Sequence, residues 1–233
     1  FIKDNIIRSN NLLKKSQKQT EEAFSFKWKK TETYESKASL KRMHEWLISK
    51  YGDVPKASWL KEHGKNPLIL DAGCGAGMSG LEFFAPILNE IKYLGVDVSN
   101  SVDVAKKRFE EKGYEAGFIQ CDLNQVPLPN KSVDIIFSEG VLHHTDSTEK
   151  AIKSLSKLIK SGGRFLFYVY KKKGPIREFS DDYIRQVISN LSYEDAWKSL
   201  EPLTQLGIDL GKLNIELDIK KPIDIIGIPK GKI

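Results

Sequence analysis

Between Pro67 and Tyr170 the chain alternates short apolar runs with segments of helical length. We predict strands over residues 68–70, 93–98, 118–120, 133–137 and 165–170, and helices over about 78–86, 101–112 and 147–160. Strands that alternate with helices require right-handed crossovers, which favour a parallel sheet covered on both faces. The sequence therefore predicts a doubly wound α/β fold with a mainly parallel sheet. Ligands of such sheets bind beyond the carboxyl ends of the strands, so the residues that follow each strand are the candidates for function.

Two segments of different texture flank this core. Residues 1–66 are predicted to be an N-terminal extension, polar and lysine-rich at first and then forming an amphipathic helix over 38–51, with a short second helix near 56–63. Residues 171–233 are predicted to be a helical cap or insertion, with helices near 181–190 and 193–201 and an apolar, strand-like run at 223–228.

Charge and cysteine content bound the class of protein. The formal charge of +6 divides into +7 for residues 1–66, −2 for 67–170 and +1 for 171–233, so the basic excess is N-terminal. No window is apolar enough for a membrane-spanning helix, and no signal peptide is recognisable. The two cysteines, Cys74 and Cys121, match neither a disulfide scaffold nor a zinc ligand pattern. We expect a cytoplasmic protein with reduced thiols and no metal. Phe1 in place of an initiating Met is compatible with further residues upstream.

The turn after the first strand carries the clearest motif, running from Asp71 through Gly73 and Gly75 to Gly77. Glycines let the backbone approach a ligand, and the following helix start offers free N–H donors. Gly75, Gly77 and Gly80 match a dinucleotide fingerprint, with Asp97 about 20 residues further on. Asp71 opposes that interpretation, because a carboxylate beside a pyrophosphate is repelled by a few kcal/mol at ~4 Å. It would instead attract the ammonium and sulfonium groups of S-adenosylmethionine.

This segment resembles the first motif of the class I S-adenosylmethionine-dependent methyltransferases. The resemblance covers residues 67–170 and continues through later motifs in order: Gly95–Ser99, Gln120–Leu123, Ser138–His144 and Lys160–Arg164. Within that superfamily the Leu-His-His stretch is most similar to enzymes that methylate small molecules, quinones and lipid precursors. Members usually close the sheet with two further strands, which we cannot assign before Ile233. We therefore expect a cap after the fifth strand and a chain whose given sequence stops before the sheet is complete.

The resemblance implies a set of cofactor contacts, several of which also stand on chemical grounds. A carboxylate at Asp97 would accept hydrogen bonds from both ribose hydroxyls, unless it is a helix cap or a surface residue. Asp122 would accept from the adenine amino group, unless it only forms a turn. The expected cofactor-binding set is Asp71, Gly73, Gly75, Asp97, Val98, Asp122, Leu123 and Ser138.

Two residues after the fourth strand are candidates for catalysis. Methyl transfer is an in-line displacement in which the protein mainly aligns the partners, and a base helps when the nucleophile must lose a proton. Histidine suits that role near neutral pH, and we favour His143 over His144, with Glu139 as an alternative base or substrate-orienting acid. The competing interpretation is that the histidines only pack or cap the following loop.

The acceptor is expected to be a small molecule or lipid-like compound. The segment after the fourth strand lacks the Asn-Pro-Pro-aromatic loop of nucleobase amino methylases, and neither cysteine has the context of a pyrimidine-carbon methylase. The basic, aromatic stretch from Phe24 to Lys30 could bind nucleic acid. We favour a segment buried on one side, with Phe26, Trp28 and Tyr34 as lid residues over the cofactor. Two alternatives stay open: an NAD(P)-dependent oxidoreductase, and a non-catalytic nucleic-acid-binding or partner module.

Overall fold

The computed structural model describes residues 1–9, 15–28, 36–171 and 175–213. The chain divides into two compact units, Phe1–Tyr170 and Lys171–Ile233. The first unit contains the sheet and all residues singled out above as candidates for chemistry.

Seven strands form one sheet in the first unit. They are β1 (Ile2–Lys3), β2 (Ile6–Arg8), β3 (Leu68–Ala72), β4 (Lys92–Asp97), β5 (Gly117–Gln120), β6 (Val133–Glu139) and β7 (Ile159–Tyr168). Their spatial order is β1-β2-β5-β4-β3-β6-β7, and all pairs are parallel except β1 with β2. The doubly wound α/β fold with a mainly parallel sheet is confirmed.

The central position of β3 explains why residues 68–70 are all apolar. It pairs with β4 on one side and β6 on the other, so its side chains alternate between two buried faces. Ile69 packs in the cluster that contains Phe83 and Phe137, and Leu70 packs in the opposite cluster with Ile136. This parallel register brings the carboxyl ends of β3, β4, β5 and β6 to the same edge of the sheet.

The first two strands were not predicted, and they correct the expected count of five. Asp4 and Asn5 form the connecting turn with φ of 53° and 58°, a left-handed conformation that these two residue types tolerate. Strand β2 then pairs with the edge of β5, where buried Arg8 donates to the side chains of Gln120 and Asp103. Among the described residues, the sheet therefore reaches seven strands through these two N-terminal strands.

Five α-helices belong to the described part of the first unit: α1 (Lys15–Trp28), α2 (Lys37–Tyr51), α3 (Met78–Phe84), α4 (Ser101–Glu111) and α5 (Thr148–Ser156). Helix α1 was not predicted. Short 3₁₀ turns at Val54–Lys56 and Ser58–His63 replace the predicted second helix.

The start and end of α5 differ from the prediction. Ser147, the predicted first residue of the helix, is its N-cap, and the Ser147 hydroxyl accepts from the Lys150 N–H. The helix ends at Ser156 rather than near residue 160, and β7 begins at Ile159, so Gly162 and Gly163 lie within a strand. A Cβ at Gly163 would lie 2.6 Å from the Asp134 carbonyl oxygen, which explains a glycine at this close approach to β6.

The second unit contains three described helices, α6 (Pro175–Ile188), α7 (Tyr193–Ser199) and α8 (Glu201–Lys212). They agree in kind with the predicted helical region, although α8 was not foreseen as a separate helix. The apolar run at 223–228 lies outside the described residues. Over the ranges that the structure does describe, no helix has both the length and the apolar character needed to cross a membrane.

Candidate functional site

A cavity of about 520 Å³ opens at the carboxyl ends of β3, β4, β5 and β6. Residues that follow these strands form its floor, and one face of α1 forms its other wall. The predicted residues that line it are Asp71, Gly73, Gly75, Asp97, Val98, Asp122, Leu123 and Glu139. The predicted residues that do not line it are Ser138 and His143.

The loop after β3 lies against its surroundings so closely that side chains are excluded. Gly73 has a φ of +88°, and a Cβ there would lie 2.8 Å from the Val141 Cβ. Gly75 has a φ of +51°, and a Cβ there would lie 2.9 Å from the Trp28 Nε1. Arg108 of α4 donates to the Ala76 carbonyl and so holds the loop from behind. The glycines are required by the backbone conformation and by this packing.

Asp71 lies at the end of β3 and is 2% exposed. The Tyr93 hydroxyl donates to its Oδ2 atom. Burial raises the pKa of Asp71 to about 7, with smaller contributions from the charges of Asp97 and Glu139, while the Tyr93 bond acts in the opposite direction. A cationic ligand group beside Asp71 would favour its ionised form.

Asp97 ends β4 and has both carboxylate oxygens fixed by neighbouring donors. Oδ2 accepts from the Gly75 N–H at 2.9 Å, and Oδ1 accepts from the Ser99 N–H at 2.8 Å and the Ser99 hydroxyl at 2.6 Å. Burial raises the pKa of Asp97, and these bonds oppose that shift. The N-cap of α4 is Asn100, so Asp97 is neither a helix cap nor a surface carboxylate. Its orientation suits it to accept from two adjacent hydroxyls.

Asp122 combines the two interpretations left open by the sequence. Its Oδ1 atom accepts from the Asn124 N–H and side-chain amide, both at 2.9 Å, and so forms the predicted turn. It also lines the cavity beside Leu123. A turn-forming aspartate therefore stands where a ligand amino group can reach it.

Ser138 is fully buried, and its hydroxyl donates to the Ala72 carbonyl at 2.7 Å. This bond joins the ends of β6 and β3 beneath the cavity. The expected direct contact of its side chain with the cofactor is not supported by this placement.

Glu139, the last residue of β6, does line the cavity. Trp46 Nε1 donates to its Oε1 at 2.8 Å, and the Tyr51 hydroxyl donates to its Oε2. Burial and the Glu139 contact raise the pKa of Tyr51, so the phenol remains a donor. Both donors belong to α2, which thus fixes the orientation of the carboxylate.

The two histidines differ in their access to the cavity. His143 Nδ1 accepts from the Tyr170 N–H at 3.4 Å, and the centroid of its ring lies 3.9 Å from that of the tilted Tyr170 ring. Burial lowers the pKa of His143. Neutral His143 therefore carries its proton on Nε2, which is buried without an acceptor among the described residues. His144 lines the cavity, with its ring 5.2 Å from that of Phe24. The placement favours His144 over the predicted His143.

The inner face of α1 is the part of the site that sequence reasoning missed. Its lining residues are Thr20, Ala23, Phe24, Lys27 and Trp28, at helical spacing. That spacing was the available signal, hidden among polar neighbours. Of the proposed lid residues, Trp28 lines the cavity, Phe26 does not, and Tyr34 lies outside the described residues.

Both cysteines are buried and unpaired, as predicted. Cys74 lies in the glycine loop and faces the cavity, and Cys121 follows β5. Burial raises the pKa of Cys121 to about 12 and also raises that of Cys74, so neither thiol is an activated nucleophile.

Comparison with known proteins agrees with this geometry. A family model described as a methyltransferase domain matches residues 70–167. The uncharacterized methyltransferase YcgJ of Bacillus subtilis is 28% identical over 69% of this chain and 66% of its own length. Its crystal structure superposes with a TM-score of 0.48, at 26% identity over 63% of this chain and 58% of that chain.

Two further relatives carry names that differ in acceptor. The human probable tRNA methyltransferase 9B is 26% identical over 61% of this chain and 31% of its own length. Phosphoethanolamine N-methyltransferase 1 of Arabidopsis thaliana is 30% identical over 52% of this chain and 24% of its own length. The chain thus spans less than two thirds of the curated relatives it matches.

The fold and the family match define a class I, S-adenosylmethionine-dependent methyltransferase domain. Residues 70–167 of this chain match the model of that domain, whose cofactor is S-adenosylmethionine. The cavity fits this molecule, since it offers a glycine cradle, paired acceptors for ribose hydroxyls at Asp97 and a buried carboxylate for an ammonium at Asp71.

Proposed function

We propose that this protein transfers the methyl group of S-adenosylmethionine to a small-molecule or lipid-like acceptor. The observation that carries the proposal is the pair of fixed carboxylate oxygens of Asp97, which face the cavity directly beside the glycine loop. A ribose diol is the group that such a bidentate acceptor recognises.

Different lining residues bind different parts of the cofactor. Asp71 attracts the ammonium group, and the loop at Gly73 and Gly75 accommodates the methionine portion. Asp97 binds the ribose hydroxyls, with Val98 beside them. The adenine lies against Leu123, with its amino group donating to Asp122.

Transfer itself needs alignment more than chemistry from the protein. The nucleophile must approach the methyl carbon opposite the sulfur, and holding the two in line supplies most of the acceleration. Helix α1 covers the cavity with Phe24 and Trp28, which excludes water from the reacting groups. Where the nucleophile carries a proton, His144 is the base that reaches the cavity, and Glu139 is the second candidate.

The same wall of α1 supports a small acceptor, because a covered cavity admits small molecules more readily than a folded polymer. The name of the Arabidopsis relative, a phosphoethanolamine methyltransferase, agrees with such a substrate. RNA is the second candidate acceptor. The basic N-terminal region and the name of the human relative favour it.

Cofactor binding tests the first part of the proposal. Isothermal titration should detect S-adenosylmethionine and no NAD(P). Asp97→Asn should weaken the cofactor affinity by about 10- to 100-fold, as expected for charge-assisted bonds. The control Asp53→Asn changes a partly exposed aspartate that is paired with Lys56 and does not line the cavity, so it should leave the affinity unchanged. Tight NAD(P) binding would instead support the oxidoreductase alternative.

Radiolabelled methyl transfer tests the acceptor. The purified protein is incubated with labelled cofactor and either total RNA or a lipid and small-molecule extract. Label in the extract supports the proposal, and label in RNA alone would replace it with the second candidate. Normal cofactor binding with no transfer to either pool would favour the non-catalytic alternative.

A further inference from the structure

We propose that the methyl acceptor is an amine that binds in its protonated form, with its ammonium group held by Glu139. This inference rests on the proposed function and narrows it to one class of nucleophile. Four features of the cavity carry it: the hydrogen bonds of Glu139, the aromatic rings of the lining, the charge balance and the presence of His144 in the same lining.

Glu139 is a charged group oriented by neutral partners. Its two oxygens accept from the Trp46 indole and the Tyr51 hydroxyl, both on α2. Across the described ranges, no lysine, arginine or histidine nitrogen lies within 4 Å of this carboxylate. Each carboxylate oxygen can accept a further hydrogen bond, and an ammonium group supplies three donors.

Aromatic rings also line this cavity. Phe24 and Tyr170 line it together with His144, and ring faces attract cations. The donor to Glu139, Trp46, already holds one cation on its ring, because the Lys50 ammonium lies 4.3 Å from the ring centroid. The combination of a fixed carboxylate and aromatic faces is suited to an organic ammonium group.

The charge balance of the cavity points the same way. Its described lining contains the carboxyl groups of Asp71, Asp97, Asp122 and Glu139 against the single ammonium of Lys27. S-adenosylmethionine brings a net charge of +1, from an ammonium, a sulfonium and a carboxylate. With all four carboxyl groups ionised, the occupied cavity keeps an excess of negative charge, which attracts a cationic acceptor and repels an anionic one.

The reaction then balances as follows. The bound ammonium group gives one proton to the neutral imidazole of His144, which leaves a lone pair on nitrogen. That pair forms the bond to the methyl carbon while the carbon–sulfur bond breaks, and its electrons pass to sulfur. The products are a methylated ammonium held by Glu139 and neutral-sulfur S-adenosylhomocysteine.

Binding of simple probes tests the inference without knowledge of the natural substrate. The protein is saturated with S-adenosylhomocysteine, and n-butylammonium or its uncharged analogue n-butanol is titrated while binding is followed by ligand-observed NMR. We expect at least a tenfold preference for the ammonium in the wild type and its loss in Glu139→Gln. Glu45→Gln, an exposed glutamate on the same helix, should keep the preference.

The cofactor affinity of Glu139→Gln separates this inference from the proposed function. We expect it to stay within threefold of the wild type. A large loss would overturn the inference, because Glu139 would then bind the cofactor. Equal binding of the ammonium and the alcohol to the wild type would also overturn it, as would unchanged preference in Glu139→Gln. Failure of S-adenosylhomocysteine to bind the wild type would instead reject the proposed function.

Discussion

The buried carboxyl group of Asp71 should destabilise the free protein and strengthen cofactor binding. Asp71→Asn keeps the size of the side chain and an acceptor for the Tyr93 hydroxyl but removes the titration. We therefore expect this substitution to raise the free energy of unfolding at pH 8 and to weaken the affinity for S-adenosylmethionine. A general folding defect would lower both.

The size of the stability effect follows from the pKa of Asp71, which is about 7 in the folded chain against an ordinary value of 3.8. A raised pKa means that the folded state alone keeps the proton between about pH 4 and 7. The stabilisation of the folded state by this bound proton is therefore fully present below pH 4. It is lost as the pH rises to 7, at about 1.4 kcal/mol per pH unit. Between pH 5 and pH 8 the wild type should lose about 3 kcal/mol relative to Asp71→Asn.

Thermal unfolding at a series of pH values measures this difference. For a chain of this size, about 3 kcal/mol corresponds to roughly 6–12 °C in Tm, so the gap between variant and wild type should widen by that amount from pH 5 to pH 8. Asp53→Asn, at a partly exposed aspartate, serves as the control. A gap that does not change with pH would refute the assignment of a raised pKa to Asp71.

Cofactor titration supplies the second measurement. The ammonium group of the cofactor favours ionised Asp71, so wild-type affinity should fall about tenfold per unit as the pH drops below 7. Asp71→Asn should bind about 10- to 100-fold more weakly at pH 8, and the part of the pH dependence due to Asp71 should disappear. Wild-type affinity in the variant at pH 8 would contradict the role of this carboxylate.

Three other substitutions test separate contacts. Gly73→Ala places a methyl group against Val141 at a φ of +88°, so we expect the free energy of unfolding in urea to fall by about 1–3 kcal/mol and cofactor binding to be lost. Val141→Ala in the same chain should restore part of the stability. Wild-type cofactor affinity in Gly73→Ala would contradict the proposed contact of this loop with the cofactor. Trp28→Phe should abolish the change in tryptophan fluorescence on cofactor binding, and a persistent signal would place the responding indole elsewhere. Arg8→Met removes the bonds that join β2 to β5 and α4, including the one to Asp103, and should cost about 1–3 kcal/mol in urea while cofactor affinity is unchanged; an equally stable variant would show that these bonds contribute little.

The central strands could be predicted because tertiary structure and local pattern agree there. Strands β3 and β6 are buried on both faces, so each contains an uninterrupted apolar run, at residues 68–70 and 135–137. The N-terminal strands could not be found in this way. With two and three residues, β1 and β2 are too short for any periodicity, and they depend on the edge of β5 for their hydrogen bonds.

Some residues of the candidate site could likewise be predicted from the sequence, and others could not. Asp71, Asp97 and Glu139 end strands, so strand prediction alone brings them to one edge of the sheet. The choice between His143 and His144 depends on side-chain direction in a 3₁₀ turn, where successive residues point about 120° apart. A pattern of residue types carries no information on which of two adjacent histidines reaches the cavity.

Gly80 shows how one motif can match two ligand classes for different physical reasons. In a dinucleotide fingerprint the third glycine allows close packing of helix against strand. A Cβ at Gly80 would lie 2.8 Å from both the Tyr93 Cζ and the Asp71 Oδ2, so this glycine makes room for the tyrosine that donates to the buried carboxylate. The feature that completes the dinucleotide pattern is thus the one that orients Asp71, the group that opposes a pyrophosphate. The spacing of the glycines follows from the close approach of a helix to a strand. The carboxylate of Asp71 beneath them favours a cationic ligand over an anionic one.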